Sequence, residues 1–150
     1  MKHFLIALGL LLVGSTAFAQ GSDSITVTSG TVSVSRTAGA AGDYVTVSWT
    51  STAAGAVVVS GIYLEGLVTK VVFANGTATP TNLYDVTITD QDSIDVLGGD
   101  GANIAVASSV VKVPQLDSLD AYVQGRHTVT ISNAGDSKNG TLRIYLFRGE

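Results

Sequence analysis

The chain has no cysteine and few charged residues, and both shortages restrict what it can do. Without cysteine it has no disulfide bonds, no thiol catalysis and no cysteine-ligated metal site. Charged residues make up 13% of the sequence, and twelve acidic side chains outnumber eight basic ones. This balance argues against electrostatic binding of nucleic acid or of an anionic membrane.

Residue patterns typical of catalysis are also missing from the sequence. It contains no Gly-x-Ser-x-Gly nucleophile motif and no phosphate-binding loop. His127 is the only histidine beyond the first few residues, and its spacing places it on the same face as Val129 and Ile131. We interpret His127 as a partly buried, hydrogen-bonded structural histidine rather than a general base, because no nucleophile accompanies it. We therefore expect no enzymatic activity.

The first twenty residues, MKHFLIALGLLLVGSTAFAQ, have the three parts of a secretory signal peptide. Lys2 begins a short positive start, residues 4–13 are apolar, and Ala17-Phe18-Ala19 fits the small-x-small cleavage rule. We predict removal of residues 1–19 and secretion of the mature chain. The apolar run is too short to span a bilayer, which needs about 20 residues. Loss of Lys2 leaves seven basic against twelve acidic residues, a net charge of −5.

The rest of the chain alternates apolar and polar residues in short runs. Val45, Val47 and Trp49 share one face of the clearest run, which covers residues 44–50. Turn-forming residues separate about eight or nine such runs, and no helical pattern appears among them. We predict an all-β fold with a single antiparallel β-sandwich, jelly-roll or immunoglobulin-like, over residues 43–150.

Two predictions concern the middle and later parts of this domain. Strands over residues 57–64 and 67–73 are predicted to flank a compact hairpin at Glu65-Gly66, with Leu67, Val71 and Phe73 on one face of the second strand. A further strand is predicted over residues 104–113.

The stretch 80–103 combines a predicted strand with an Asp-rich turn and a glycine cluster. Tyr84, Val86 and Ile88 fall on one face of the strand. Asp92 is predicted to cap one helical turn after it, because a carboxylate accepts the free amide protons at a helix start.

A weak calcium site is the alternative interpretation of the same turn. Its ligands would be Asp90, Asp92 and Asp95, since calcium prefers carboxylate oxygens. Their spacing does not match the EF-hand loop, so capping and solvated turns remain the favoured interpretation.

Residues 20–42 form an N-terminal β arm and a linker of sequence TAGAAG. The apolar residues of the arm are Ile25, Val27, Val32 and Val34. Their parity changes at Ser29-Gly30-Thr31, which predicts a bulge or a tight turn. Two interpretations stay open: the arm is the first strand of its own sandwich, or it leaves and completes the sheet of a neighbour.

Two segments match the acceptor sequence for N-glycosylation. These are Asn75-Gly76-Thr77 and Asn139-Gly140-Thr141. Both also contain the Asn-Gly pair that hairpin turns prefer, so each is either a glycan site or a turn.

The run YDVTITDQDSIDVLGGDGAN, with the closing run VTISNAGDSKNGTLRIYLFR, resembles a group of small tailed-phage virion proteins. The similarity covers roughly residues 61–148. It breaks after Asn103, where the group often has Arg and this chain has Ile104. The resemblance implies a β-sandwich with a non-enzymatic structural role. Members of that group do not normally carry an export signal.

Together these features predict an exported structural protein that assembles with copies of itself. The arm would be the donated strand, and the product would be an extracellular fibre or filament. The alternative is a β-sandwich module that decorates a virion or binds a surface or a glycan.

Overall fold

The computed structural model describes residues 24–39, 42–113 and 122–148, and every regular element among them is a β-strand. The strands are β1 Thr26–Ser29, β2 Thr31–Thr37, β3 Asp43–Thr50, β4 Val57–Asn75, β5 Asp85–Thr89, β6 Val110–Lys112, β7 Tyr122–Ser132 and β8 Asn139–Phe147. The predicted all-β fold is confirmed. The predicted signal peptide lies outside the described residues. Among those residues there is no helix long and apolar enough to cross a membrane.

All eight strands belong to one antiparallel, hydrogen-bonded sheet. Its order is β2-β3-β8-β4-β7-β5, and β1 and β6 also pair with β4. The first half of β4 lies between β1 and β7, and its second half lies between β8 and β6. β4 is therefore the strand through which the two halves of the sheet are joined.

A bend in β4 folds the sheet over on itself. Val57 at the start of β4 pairs with Ile131 in β7, and Asn75 at its end pairs with Gly140 in β8. A short turn joins β7 to β8, so both ends of β4 lie beside that turn. Leu67, in the middle of β4, pairs with the first residue of β7 and the last residue of β8. The strand must therefore reverse its direction near Leu67.

This bend replaces the hairpin predicted at Glu65-Gly66. The chain does reverse there, but the first half of β4 pairs with β7 and the second half with β8, and the two halves do not pair with each other. Gly66 has a φ of 121°, and a Cβ at this position would lie 2.7 Å from the carbonyl oxygen of Phe147. A glycine is thus required at the bend. The Glu65-Gly66 pair indicated that the chain reverses, but it did not indicate which strands the two halves of β4 pair with.

Two bulges change which side chains of β4 face the core. The register shifts between Val59 and Ile62, and again between Val68 and Lys70. Each inserted residue moves the alternation to the other face. The prediction that Leu67 shares a face with Val71 and Phe73 is therefore wrong, because Val68 is buried with them in its place. The buried apolar residues of β4 are Val57, Val59, Ile62, Leu64, Val68, Val71 and Phe73.

The two halves of the folded sheet share one hydrophobic core. Trp49 of β3 packs against Tyr84, just before β5, with their ring centroids 5.9 Å apart. These residues belong to opposite halves, so their contact connects the two layers. The core faces predicted for β3, β5 and β7 are confirmed, and β8 buries alternate residues in the same way. Their buried residues are Val45, Val47, Trp49, Val86, Ile88, Val123, His127, Val129, Ile131, Leu142, Ile144 and Leu146.

The strand predicted over residues 104–113 is mostly absent. Only Val110–Lys112 forms a strand, β6. Earlier in the segment the backbone of Val106 is bound by side chains. Its amide donates to Asn82 Oδ1 at 3.2 Å, and its carbonyl accepts from Asn75 Nδ2 at 2.7 Å. Side-chain partners thus occupy the groups that a strand would use for its ladder.

Truncation of a core residue tests this assignment of the core. Ile144→Ala should lower the free energy of unfolding by about 2–5 kcal/mol, because Ile144 is fully buried. Val27→Ala, on exposed β1, should change it by no more than about 0.5 kcal/mol. Urea unfolding of both variants measures the difference, and equal losses would contradict the assignment.

Candidate functional site

The N-terminal arm, defined here as residues 24–37, lies across one side of the folded sheet. β1 pairs with the first half of β4, with Thr26 opposite Ser60. β2 pairs with β3 in the other half, with Val34 opposite Val47. The arm therefore forms an edge of both halves, and within the described residues no further strand pairs with the outer side of β1 or β2.

Gly30 lies at the point where the arm crosses from one half to the other. Its φ is 76°, and a Cβ here would lie 2.6 Å from the carbonyl oxygen of Thr50 and 3.3 Å from that of Ala56. Both the backbone conformation and the close approach require glycine. The sequence predicts a bulge or a tight turn here, and the structure has a register shift between Val27 and Ser29 followed by a change of pairing partner from β4 to β3.

The arm contributes little to the hydrophobic core. Ile25 and Val27 are exposed to about 40% of their full accessible surface. Val32 and Val34 are partly buried and pack against the core from outside. The fully buried cluster begins only at Val45, so the core contains no buried side chain from the described part of the arm. The arm is held mainly by backbone pairing.

Two further contacts fix the position of the arm on β4. A Cβ at Gly61 would overlap the carbonyl oxygen of Ser24, so the first described residue of the arm lies directly against this glycine. At the other end of the arm, the Arg36 guanidinium donates a hydrogen bond to the carbonyl oxygen of Tyr63. This charge-assisted bond joins β2 to the opposite half of the sheet.

The Asp-rich turn after β5 contains no helix, and the prediction that Asp92 caps one is wrong. Asp90 Oδ1 accepts the amides of Asp92 and Ile94, both at 2.9 Å. Asp95 accepts three amides, from Ile88, Leu97 and Gly99, at 3.0–3.2 Å. Asp90 and Asp95 thus organise the turn. Asp92 is the residue expected to cap a helix, but this segment is a turn folded against β5, and its amides bind Asp90 and Asp95 instead.

The candidate calcium ligands Asp90, Asp92 and Asp95 are not brought together around one point. Among the described residues no group of three or more histidine, aspartate or glutamate side chains is placed to hold a metal ion. Carboxylate oxygens of Asp90 and Asp95 are already used by backbone amides.

The two Asn-Gly pairs meet each other across β4 and β8. Asn75 lies opposite Gly140, and the Gly76 amide donates to the Asn139 carbonyl at 2.9 Å. Asn139 begins a strand, so its interpretation as a turn is wrong. Both asparagines are half-buried. The Asn75 amide group donates to a backbone carbonyl, and Asn139 Oδ1 accepts the Ala78 amide at 3.0 Å. Each candidate glycan acceptor is therefore already hydrogen-bonded.

His127 is 2% exposed and lies on the core face of β7, as its spacing predicted. Its Nδ1 donates to the Gly125 carbonyl at 3.0 Å. Burial lowers the pKa of His127 below its usual 6.5. The Gly125 hydrogen bond and the charge of Asp90 partly oppose this shift. Burial also raises the pKa of Tyr84 to about 12. Both groups are therefore neutral at physiological pH, as expected of core residues.

Comparison with protein-family models found no match for the chain, and searches of curated proteins and of solved structures found none either.

The buried histidine makes a prediction about stability in acid. Below about pH 6.5 the unfolded chain binds a proton at His127, whereas the folded chain does so only at a lower pH. The free energy of unfolding should therefore fall as the pH drops from about 6.5. In a His127→Gln protein the loss between about pH 8 and about pH 5 should be smaller. Equal losses in urea titrations of the two proteins would contradict a neutral, buried imidazole.

Proposed function

We propose that this chain is an exported, non-enzymatic structural subunit that assembles with copies of itself through its N-terminal arm. In the assembly the arm of one copy lies on β3 and β4 of the next copy. Because each copy gives an arm and receives one, this head-to-tail contact continues into a filament if it does not close. The observation that carries the proposal is the absence of any arm side chain from the buried core.

A core that is complete without the arm has a direct energetic consequence. Removal of a strand that fills the core would expose large apolar surface and cost several kcal/mol. Here removal of the arm takes no fully buried side chain from the core; it exposes the core surface against which Val32 and Val34 pack and the backbone edges of β3 and β4. The remaining domain would keep its buried residues but would have two open edges, and open edges readily pair with another chain.

The arm of a second copy matches these edges in every contact. It carries the same crossing glycine, Gly30, and the same arginine, Arg36, to bind the Tyr63 carbonyl. Exchange therefore conserves the contacts within each docking site. The balance between the two arrangements depends on protein concentration and on the linker, residues 37–42, whose sequence TAGAAG is rich in small residues.

The predicted signal peptide and the missing catalytic pattern support the same function. Export would bring the subunits together outside the cell, where an assembly needs neither cofactor nor nucleotide. The resemblance to tailed-phage virion proteins supports a structural role. It also supports the alternative, a module that decorates a virion or binds a glycan.

Blocking the docking site should abolish assembly. Gly61→Ala introduces a methyl group where the Ser24 carbonyl lies, so an arm can dock neither from the same copy nor from another. We expect electron microscopy of the mature wild-type protein to show filaments, and the Gly61→Ala protein to show none. Deletion of residues 20–36 should have the same effect.

Gly99→Ala is the matched control, because Gly99 also has a positive φ, of 90°, but has no neighbouring atom within 4 Å. This variant carries the backbone strain without the clash, so it should still form filaments. Filaments formed equally by the Gly61→Ala protein would contradict the proposal. A wild-type protein that stays monomeric at every concentration would also contradict it, and would favour the surface-binding alternative.

A further inference from the structure

The outer edge of β5 is covered by the chain that follows it. β5 pairs with β7 on one side only. On the other side lies the segment 91–104, called here the cover loop. Three successive outward amides, those of Val86 and Ile88 in β5 and of Asp90 directly after it, all donate to it at 2.7–3.1 Å. The edge therefore has backbone partners along its length, although the cover loop is not a strand.

Asp95 takes the place of a strand residue in this cover. Its Oδ1 accepts the Ile88 amide at 3.1 Å, where a neighbouring strand would present a carbonyl. The Val96 amide returns a bond of 2.8 Å to the Ile88 carbonyl. The remaining bonds of Asp95 hold the cover loop in its own turn, at Leu97 and Gly99. One carboxylate thus joins the fold of the loop to the edge that it covers.

Gly101 brings the backbone of the cover loop into direct contact with β5. The Val86 amide donates to the Gly101 carbonyl at 2.7 Å. A Cβ at Gly101 would overlap the Val86 carbonyl oxygen and would lie 2.7 Å from Leu97 Cδ1. The φ of Gly101 is not positive, so glycine is required here only because a side chain would not fit.

We infer that the cover loop is a built-in guard that prevents a second copy of the chain from adding to the β5 edge. Without it, β5 is complementary to itself. In an antiparallel pair centred on Thr87, Val86 lies opposite Ile88 and Asp85 lies opposite Thr89. Two copies could then join about a two-fold axis, with all apolar residues on the core side. With the β5 edge covered, the edges of β3 and β4 that bind the arm remain as the place where two copies associate.

Gly101→Ala tests the inference in the full mature chain, because its methyl group would overlap the Val86 carbonyl oxygen and displace the cover loop from β5; the methyl group also meets the buried Leu97 side chain. We expect the Val86 and Ile88 amides to exchange with solvent at least tenfold faster, measured by NMR. Below the concentration at which the wild-type protein assembles, analytical ultracentrifugation should show a dimer that the wild-type protein lacks. Gly98→Asn is the control: Gly98 has open space around it and a φ of 57°, which asparagine tolerates.

A second pair of variants tests the same inference if the Gly101→Ala protein does not fold. Asp95→Ala removes the surrogate strand partner and should act as Gly101→Ala does. Asp92→Ala should act as wild type, since the Asp92 carboxylate makes no hydrogen bond with any described residue. Unchanged exchange in both cover-loop variants would overturn the inference, and so would faster exchange without new association. The Gly61→Ala result is independent, so failure of arm exchange is distinguishable from failure of the guard.

Discussion

The fold depends on a single strand that belongs to two layers. β4 is 19 residues long, and it remains hydrogen-bonded throughout while it turns back at Gly66. Each half of β4 contains a bulge, and the bulge keeps its apolar side chains directed at the shared core. Because β7 pairs with the first half of β4 and β8 with the second half, the bend in β4 fixes the positions of both strands. A side chain at Gly66 would clash with the carbonyl oxygen of Phe147, the last residue of β8.

A folded sheet of this kind has edges on both sides, and the chain treats them differently. On one side the cover loop occupies the β5 edge through the backbone and Asp95. On the other side the arm is paired to both halves, yet it places no side chain in the core. One edge is thus closed by a segment that is folded into the domain. The other is closed by a segment whose departure would remove no fully buried side chain from the core, and our proposal of assembly rests on this contrast.

The strands and their core faces could be predicted where alternation is uninterrupted, as around Val47 in β3 and Ile88 in β5. Prediction failed where the backbone is irregular, because a bulge such as that before Lys70 changes parity without any signal in composition. Hydrogen bonds between distant segments were also invisible. Nothing local indicates that Asp95 serves the Ile88 amide, or that Asn139 begins a strand. The change of parity within the arm was visible in the sequence. That β1 pairs with β4 and β2 with β3 could not be predicted from it.

The most direct measurement of the central claim asks whose arm lies on β3. Ser33 and Ser48 are exposed and directly opposite one another, and the chain has no cysteine of its own. In a Ser33→Cys, Ser48→Cys protein, oxidation after assembly should link neighbouring copies, because paired strands bring the sulfur atoms within bonding distance. Denaturing electrophoresis without reductant should then show a ladder of multimers. Monomers with only an internal disulfide, at concentrations where the protein assembles, would contradict the account.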